Sequence, residues 1–492
     1  MSSSATPAAP PPLPDDESAR RTLTRGQTAL LILVVALIAL GAAFWRLPTI
    51  QALIALAIIG YVVSSAYKMY VLYRATRHGT PWYAPVQTRD EDLPRYTILI
   101  PLYREAEVIT GLLDALRALD YGHEKLEVLF LMEEDDEETI AAFGQHRIPP
   151  YVRAVIVPEG YPKTKPRACN YGLAASTGDY LVIYDAEDRP EPDQLRKALA
   201  AFAAAPPEVV CQQAKLGYYN QRQNILTRFF TIDYANWFDG ILPGLTWLQA
   251  PIPLGGTSNH FRVDVLRELG GWDAFNVAED ADLGIRLFRH GYRTAIFDSV
   301  TWEEANSRVR SWLRQRSRWV KGYMQTFLVH SRHPRLLRRQ LGTANTLSFL
   351  VVVGGTPAAM LLNPIFWALG IVYYITRSTR IEALFPAPIY YMGLACLLVG
   401  TFVFVYMNVF TAVRWGYDDL AKWALLTPLY WVLLSAATYM ALYDLIVRPH
   451  HWQKTTHGLA PIASISAAEL LAERDSHGRS MPPAPPEPES AT

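Results

Sequence analysis

Carboxylates follow short apolar runs at several points of the sequence, and their spacing suits metal and phosphate chemistry. The strongest group is Asp185-Ala186-Glu187-Asp188, directly after the run Tyr180–Tyr184. Side chains at positions i and i+2 of a strand project to the same side, and two oxygen ligands at that spacing suit Mg2+ or Mn2+ holding a diphosphate. A solvated turn is the plainer alternative. The pattern predicts a metal site on Asp185, with Glu187 or Asp188 as the second ligand.

A second acidic pair, Glu279-Asp280, opens a helical pattern after Gly270-Gly271-Trp272. Negative charge in a first turn is favourable to the helix dipole, so a purely structural role would explain it. A carboxylate facing a hydroxyl would instead act as a general base. Farther upstream, Lys163 and Lys165 either neutralise a phosphate or lie in an exposed basic loop.

Arginines alternate with tryptophans between Ser311 and Tyr323, just before a long apolar stretch. This pattern is typical of an interfacial amphipathic helix with basic residues at lipid headgroups. Arginine also clamps diphosphates, and the face of a tryptophan stacks on sugar rings. The pattern is compatible with both roles.

Alternating apolar runs and helical patterns predict the fold that positions these residues. The interval Glu107–Leu119 has one apolar helical face, and the runs that indicate buried strands are Tyr96–Leu102, Val128–Met132, Val152–Val157 and Tyr180–Tyr184. Such alternation predicts a mostly parallel sheet with helices on both faces. Ligands of these sheets bind beyond the carboxyl ends of the strands. The sequence has neither a GxGxxG nor a GxxxxGK[ST] phosphate turn.

The composition excludes several classes of protein. The 492 residues include 46 Lys plus Arg and 46 Asp plus Glu, which gives no basic surplus for a dedicated nucleic-acid binder. Apolar residues make up 50% of the chain, too many for a disordered protein. The three cysteines are far apart and match neither a disulfide framework nor a zinc site.

Charged residues are absent from five long stretches, each long enough for a membrane-spanning helix, which needs about 20 apolar residues. Buried core helices are the alternative, but five such stretches in one chain favour an integral membrane protein. These stretches are 26–45, 47–67, 340–376, 383–413 and 423–443.

If the first two stretches form a hairpin, the basic clusters before 26, after 67 and before 340 all lie on one side, with only Arg46 between the two stretches. This distribution predicts that the segment 80–340 is cytoplasmic. The stretch 340–376 contains Gly354-Gly355 and two prolines, so it forms either one kinked helix or two short ones. We favour two, which gives six spans and a cytoplasmic C-terminus.

Taken in order, these motifs resemble those of the membrane-embedded family 2 glycosyltransferases similar to cellulose and hyaluronan synthases. Gln315, Arg318 and Trp319 match the QxxRW motif of that family, and Glu279-Asp280 match its base motif, with Ala278 in place of the usual Thr. Two motifs depart from the family pattern: DAE stands in place of DxD at residues 185–187, and EEDD in place of DDG at residues 133–136. The resemblance covers roughly residues 90–330.

The resemblance implies an α/β GT-A (Rossmann-like) cytoplasmic domain inserted between transmembrane helices, and a role for each matched residue. Asp280, with Glu279, is the implied catalytic base. The implied metal ligands for Mg2+ or Mn2+ are Asp185, Glu187 and Asp188. The implied nucleotide-binding residues are Tyr103, Glu105, Glu134, Lys165 and Arg318. The implied acceptor-binding residues are Trp319, Gln315, Gly256 and Thr257, and the implied gating residues are Trp452, Lys454 and Thr455.

The function implied is processive, inverting polymerisation of a UDP-sugar, with UDP-glucose expected, into a β-linked exopolysaccharide that crosses the membrane. The expected location is a bacterial inner membrane, and the expected partners are the UDP-sugar, the growing glycan, the bilayer and accessory export subunits. The alternatives are transfer of a single sugar to a membrane lipid and a transport or receptor protein with a decayed transferase domain.

The domain organisation expected on this basis has seven parts. They are a disordered cytoplasmic tail at 1–25, two transmembrane helices at 26–73, the GT-A domain at 90–304, interfacial helices with QxxRW at 305–339, three to four transmembrane helices at 340–446, a gating-like segment at 447–474 and a disordered tail at 475–492.

Overall fold

An eight-stranded sheet forms the centre of the structure, a computed structural model that describes residues 12–451. The strand order is β3-β2-β1-β4-β7-β6-β8-β5. The strands are β1 Tyr96–Leu102, β2 Leu126–Glu133, β3 Val152–Val157, β4 Tyr180–Ile183, β5 Arg189–Pro190, β6 Val209–Tyr218, β7 Asn259–Arg262 and β8 Arg293–Glu303. The four strands predicted from the apolar runs are confirmed as β1 to β4.

Six of the eight strands run in the same direction, so their carboxyl ends lie along one edge of the sheet. β1 pairs in parallel with β2 and β4, β2 pairs in parallel with β3, and β6 pairs in parallel with β8. The short β7 is antiparallel to both β4 and β6, and β5 is antiparallel to β8. The expected ligand edge therefore exists.

Alternation along the strands supplies a separate core on each face of the sheet. Ile98 and Ile100 pack with Leu112 and Leu116 on one face. Leu99, between the two isoleucines, packs into the opposite core with residues that include Leu173 and Leu283. This two-faced burial explains why the strands are nearly continuous apolar runs.

Helices cover the sheet and precede and follow it along the chain. The helices before β8 are α1 Arg25–Phe44, α2 Arg46–His78, α3 Ile109–Arg117, α4 Glu137–Gln145, α5 Lys165–Ala175, α6 Gln194–Ala204, α7 Ile225–Ala235, α8 Leu242–Trp247, α9 Val263–Glu268 and α10 Glu279–Arg289. The helices after it are α11 Val309–His330, α12 Pro334–Phe349, α13 Thr356–Thr376, α14 Thr379–Glu382, α15 Ala387–Ala395, α16 Thr401–Arg414, α17 Asp418–Ala421 and α18 Thr427–Val447. π-Helical turns at Asn236–Ile241, Leu350–Gly355 and Cys396–Gly400 join successive helices.

Within residues 12–451, five helical stretches are long and apolar enough to cross a membrane. They are Arg25–Phe44, Arg46–His78, Pro334–Thr376, Ala387–Arg414 and Asp418–Val447. The third differs from the pair of short helices favoured from the sequence. Its kink lies at Gly342 (φ 77°), and a π-helical turn carries the helix through Gly354-Gly355 without a break.

Both ends of α18 contact the same helix, α11. Near its start, the Tyr430 hydroxyl accepts a hydrogen bond from Arg316 at 3.2 Å. Just beyond its end, the carbonyl of His451 accepts a hydrogen bond from the Lys321 amine at 2.8 Å. The chain therefore returns to the sheet-containing domain after α18.

The segment before α1 is ordered where it is described, which differs from the disordered tail expected for 1–25. Ser18 donates a hydrogen bond to Asp273 at 3.0 Å, and Glu17 accepts one from His290 at 2.8 Å. Arg332 donates to backbone carbonyls of the same segment. These buried partners on the domain explain the order.

Candidate active site

The carboxyl ends of the strands open into a cavity of about 610 Å³. Tyr103 and Glu105 follow β1, Asp185 and Glu187 follow β4, and Glu303 ends β8. The cavity brings together these expected site residues: Tyr103, Glu105, Lys165, Asp185, Glu187, Gly256, Thr257, Glu279, Asp280, Gln315, Arg318 and Trp319.

Lys165 forms the central ion pair of the cavity. It opens α5, with Pro166 in the first turn, a position where proline needs no amide hydrogen. Its amine pairs with the Asp185 carboxylate and donates to the Gly256 carbonyl at 2.7 Å. Burial alone would lower the pKa of Lys165, but the charges of Asp185 and Glu279 raise it above its usual value. The amine therefore stays charged beside any incoming phosphate.

Asp188 lies behind the cavity wall, not on it. Its carboxylate accepts hydrogen bonds from the Asp185 amide at 2.7 Å and from the Thr257 hydroxyl. Burial raises its pKa well above the usual range, and the charges of Asp185 and Glu187 raise it further. Of the two candidates for second metal ligand, Glu187 is the one that lines the cavity.

Glu134 also lies outside the cavity lining, although the sequence places it with the nucleotide-binding residues. Its carboxylate accepts a hydrogen bond from the Glu159 amide at 3.1 Å. The neighbouring Glu133 lines the cavity and pairs with Arg167 at 3.3 Å. Successive side chains at the end of β2 point to opposite sides. The motif is therefore offset by one residue, and Glu133, not Glu134, faces the cavity.

The donor set fits a divalent metal that completes its coordination with substrate. Asp185 and Glu187 offer oxygen ligands, which Mg2+ and Mn2+ prefer. Within residues 12–451 no three His, Cys, Asp or Glu side chains form a metal cluster. Mg2+ commonly binds through one or two carboxylates plus substrate phosphates and water, and this site matches that pattern.

The candidate base lies in the first turn of α10. One oxygen of Asp280 accepts a hydrogen bond from the Ala281 amide at 2.8 Å, while the other lies close to Gly256, where an added Cβ would be 3.4 Å away. Burial raises the pKa of Asp280. Burial, with the charge of Asp280, raises the pKa of Glu279 to about 7. Raised values are typical of groups that exchange protons near neutral pH.

Close packing of α11 against the base segment fixes the distance between the two motifs. A Cβ at Gly322 would lie 2.2 Å from that of Ala278, the residue before Glu279. Arg318, one turn earlier on α11, faces the same cavity as Asp280. Glycine is required here because any side chain would separate the helices.

Arg316 holds together a cluster of rings beside the cavity, formed by Phe230, Tyr234, Trp237 and Trp319 and called here the aromatic wall. The sequence did not reveal this role. The Arg316 guanidinium lies 4.8 Å from the ring centre of Trp319 and 4.6 Å from that of Phe230. It also pairs with Asp233 on α7. Cation–π contacts in a desolvated setting restrain the rings that they touch, so Trp319 is held in a defined orientation.

Several cavity residues were missed because no motif marks them. Glu303 is the last residue of β8, a strand that the apolar-run analysis did not detect. The others lie on helices: Asp233, Tyr234, Trp237, Arg316 and Tyr323. One signal in the sequence could have predicted the part of the aromatic wall on α7 and the π-helical turn after it. Aromatic residues recur there at helical spacing, at positions 230, 234 and 237–238.

The cavity continues beyond the aromatic wall between the apolar helices. This end is lined by Val352, Thr356, Pro357, Met360, Leu434 and Thr438. An acceptor can therefore occupy the space between Asp280 and the apolar helices. The expected gating residues Trp452, Lys454 and Thr455 lie outside the described residues.

The sequence pattern of glycosyl transferase family group 2 matches residues 180–443, more than half of the chain. The chain belongs to this family. Family membership makes it a transferase, as expected from the motifs.

Individual relatives agree with this assignment. The chain is 30% identical over 238 residues to a probable glycosyltransferase of Bacillus subtilis, covering 47% of this chain and 56% of that protein. It is 27% identical over 268 residues to the beta-monoglucosyldiacylglycerol synthase of a Synechocystis species, covering 53% of this chain and 54% of that protein. The chain thus spans about half the length of these relatives.

A solved structure confirms the fold class. The mannosyltransferase of Pyrobaculum calidifontis, solved with GDP-Man and Mn2+, superposes with a TM-score of 0.52 at 22% identity. The match covers 80% of this chain and 99% of that one. The expected GT-A fold is therefore confirmed, with long apolar helices flanking the domain.

Substituting Gly322 tests the contact between α11 and the base segment. In Gly322→Ala the new methyl group displaces Ala278, so we expect the transfer rate to fall by about tenfold or more, because small misplacements of reacting groups are costly. The affinity for the donor nucleotide should change little. The initial rate of nucleoside diphosphate release and calorimetric binding of that nucleotide measure the two effects.

Gly144→Ala on α4 is the matched control, because a Cβ there meets no atom within 4 Å. Equal rates for Gly322→Ala and Gly144→Ala would show that the helix contact does not set the position of the base.

The raised carboxyl pKa values predict the direction of the pH dependence. A general base must be deprotonated, so the turnover at saturating donor should fall as the pH decreases through the raised pKa. The acid limb should therefore lie above about pH 4, the usual value of an exposed aspartate. An acid limb at or below that value, in protein shown to be folded by circular dichroism, would contradict a base in this buried pair.

Proposed function

We propose that the protein transfers a sugar from a UDP-sugar, with inversion, to an acceptor hydroxyl held in the cavity. The observation that carries this proposal is the lining of one cavity by Asp280 and Arg318, with Lys165 and Asp185 beside them. Such an arrangement supplies a base for the nucleophile and cations for the leaving diphosphate. A displacement of this kind needs no covalent sugar–enzyme intermediate.

Asp280 removes the proton from the acceptor hydroxyl. Its oxygen near Gly256 is the one available for this step, because the other is held by the Ala281 amide. Lys165 and Arg318 both favour the charged form of Asp280. As the sugar departs, the same two cations stabilise the charge that develops on UDP.

Asp185 and Glu187 would hold Mg2+ or Mn2+, which when bound neutralises the diphosphate. The Mn2+ and GDP-Man in the mannosyltransferase of similar fold support this assignment. Tyr103 and Glu105 are proposed to hold the nucleotide at the end of β1. Lys163, 5.0 Å from the ring centre of Tyr103, adds positive charge there.

The proposed product is a β-linked glycan extended by successive transfers, with UDP-glucose as the donor. The continuation of the cavity from Asp280 to the apolar helices supports a path for such a chain. Trp319, Gln315 and Gly256 would line the acceptor end. Thr257 contributes less directly, because its hydroxyl donates to the Ile183 carbonyl at 3.0 Å and contacts Asp188.

Transfer of a single sugar to a membrane lipid is the second candidate. Two observations favour it: the apolar lining at the far end of the cavity, and the similarity to a beta-monoglucosyldiacylglycerol synthase. A decayed domain is less favoured, because Asp185, Glu187, Glu279 and Asp280 are all present in the cavity.

The proposed location is the bacterial inner membrane, with the catalytic domain in the cytoplasm. The contacts of the segment before α1 and of the turn after α18 support placing both on the domain side. In this arrangement α1, α2, the α12–α13 helix and the α15–α16 helix cross the bilayer. We propose that helix α18, whose two ends both contact α11, lies along the domain-side surface, so that four helical stretches cross the bilayer. Accessory export subunits would bind the outer side.

The direct test is UDP release by the purified full-length protein given UDP-sugars and Mg2+ or Mn2+. Asp280→Asn keeps the shape of the side chain and removes the base, so the rate should fall by about 10²–10⁴-fold while UDP binding survives. The matched control is Asp264→Asn on α9, where the side chain is 70% exposed. An Asp280→Asn variant as active as this control would refute the proposal.

The product separates the two candidates. Radiolabel from UDP-glucose should appear in a long, water-soluble or insoluble glycan that a β-glucanase digests. Label that enters only the organic phase, as a lipid carrying one sugar, would assign the second function and contradict polymerisation.

A further inference from the structure

Three segments that are distant in sequence meet at the second half of α11. The first is the turn at residues 275–278, which leads into Glu279-Asp280 and is called here the base turn. The second is α11 itself, and the third is the turn at residues 448–451 after α18. The side-chain amide of Gln325 joins all three.

The two ends of the Gln325 amide have different partners. Its oxygen accepts a hydrogen bond from the Val277 amide at 3.1 Å, and its nitrogen donates to the Pro449 carbonyl at 3.1 Å. A backbone N–H only donates and a carbonyl only accepts, so these partners fix the orientation of the side chain. Gln325 is buried, with 1% of its surface exposed.

Neighbouring bonds make the junction rigid. Asn276 donates to the Thr326 hydroxyl at 3.0 Å and accepts from the Ala278 amide at 3.0 Å. On the other side, Lys321 donates to the His451 carbonyl at 2.8 Å. The base turn is therefore held along one face of α11, on the same helix as Arg318.

We propose that Gln325 is a positioning residue, which holds the base turn so that Asp280 faces the acceptor hydroxyl. The turn after α18 in turn braces the Gln325 side chain through the Pro449 carbonyl. The inference rests on the proposed role of Asp280 as the base. It adds a residue outside the QxxRW motif, four residues beyond Lys321 and not in the cavity lining, on which the rate depends.

The test compares two buried glutamines in the full-length protein. Gln325→Met keeps the volume and removes both bonds, and should lower kcat by about tenfold or more while KM for the UDP-sugar stays near the wild-type value. Gln194→Met is the control. Gln194 is fully buried and bonded to Tyr184, Ser299 and Thr301, away from the base turn. This control should lose thermal stability to a similar degree without the selective loss of kcat.

A conservative variant separates hydrogen bonding from packing. Gln325→Glu in its protonated form, which burial favours, keeps an acceptor for the Val277 amide and a donor for the Pro449 carbonyl, so it should recover part of the kcat lost in Gln325→Met. No recovery would overturn the proposal, since packing alone would then explain the loss. A kcat within about threefold of wild type in Gln325→Met would also overturn it.

Amide hydrogen exchange of Val277 gives a readout that does not depend on transfer. It should be faster in Gln325→Met than in wild type or Gln194→Met. Faster exchange with unchanged kcat would show that the bond holds the turn but does not position the base. If Asp280→Asn retains the wild-type rate, the proposed function fails, and the exchange result still shows whether Gln325 holds the turn.

Discussion

The ion pair between Lys165 and Asp185 is the interaction on which the site depends. Carboxylates from β4, β8 and α10 converge on one cavity, and like charges this close repel unless a cation lies among them. Lys165 supplies that charge from the start of α5 and also bonds the Gly256 loop. Removing the Lys165 amine would leave the negative charges of Asp185 and Glu279 without the positive charge that now offsets them. An incoming metal ion and diphosphate can bind within this arrangement, because the metal pairs with the carboxylates and the diphosphate pairs with the Lys165 amine.

Helix α11 is the second constraint, since it carries several functions at fixed spacing. Arg318 and Trp319 face the cavity, Arg316 holds the aromatic wall, and Gly322 allows close approach to Ala278. A rigid helix transmits these spacings better than a loop would. The same helix contacts both ends of α18, so the catalytic domain and the apolar helices share one support.

Local patterns predicted the parts of the fold that local interactions determine. The strands β1 to β4 were found because burial on both faces requires apolar runs such as Tyr96–Leu102. The carboxylates Asp185 and Asp280 could be placed in the cavity because strand ends and helix starts are local features. Asp188 was harder to place. The strand stops at Ile183, so the chain turns and folds the Asp188 carboxylate back onto the Asp185 amide.

Long-range contacts account for what the sequence did not reveal. Arg316 is one arginine among several on α11, and only the packing of Phe230, Asp233 and Tyr430 around it marks it as different. Hydropathy predicted α18 as long and apolar enough to span a membrane, but composition does not report that both of its ends contact α11. The order of the segment around Ser18 likewise depends on Asp273, which is distant in sequence.

The central claim is that α11 presents Arg318 to the departing diphosphate. The most direct test compares the UDP release rates of two variants, Arg318→Lys and Arg314→Lys. Arg314 is an exposed arginine on the same helix and serves as the control. Lysine keeps the charge but loses the planar fork of donors, so Arg318→Lys should be slower by about 10²–10³-fold, as expected for a contact to developing charge. Arg314→Lys should be close to wild type. Equal rates for the two variants would contradict the account.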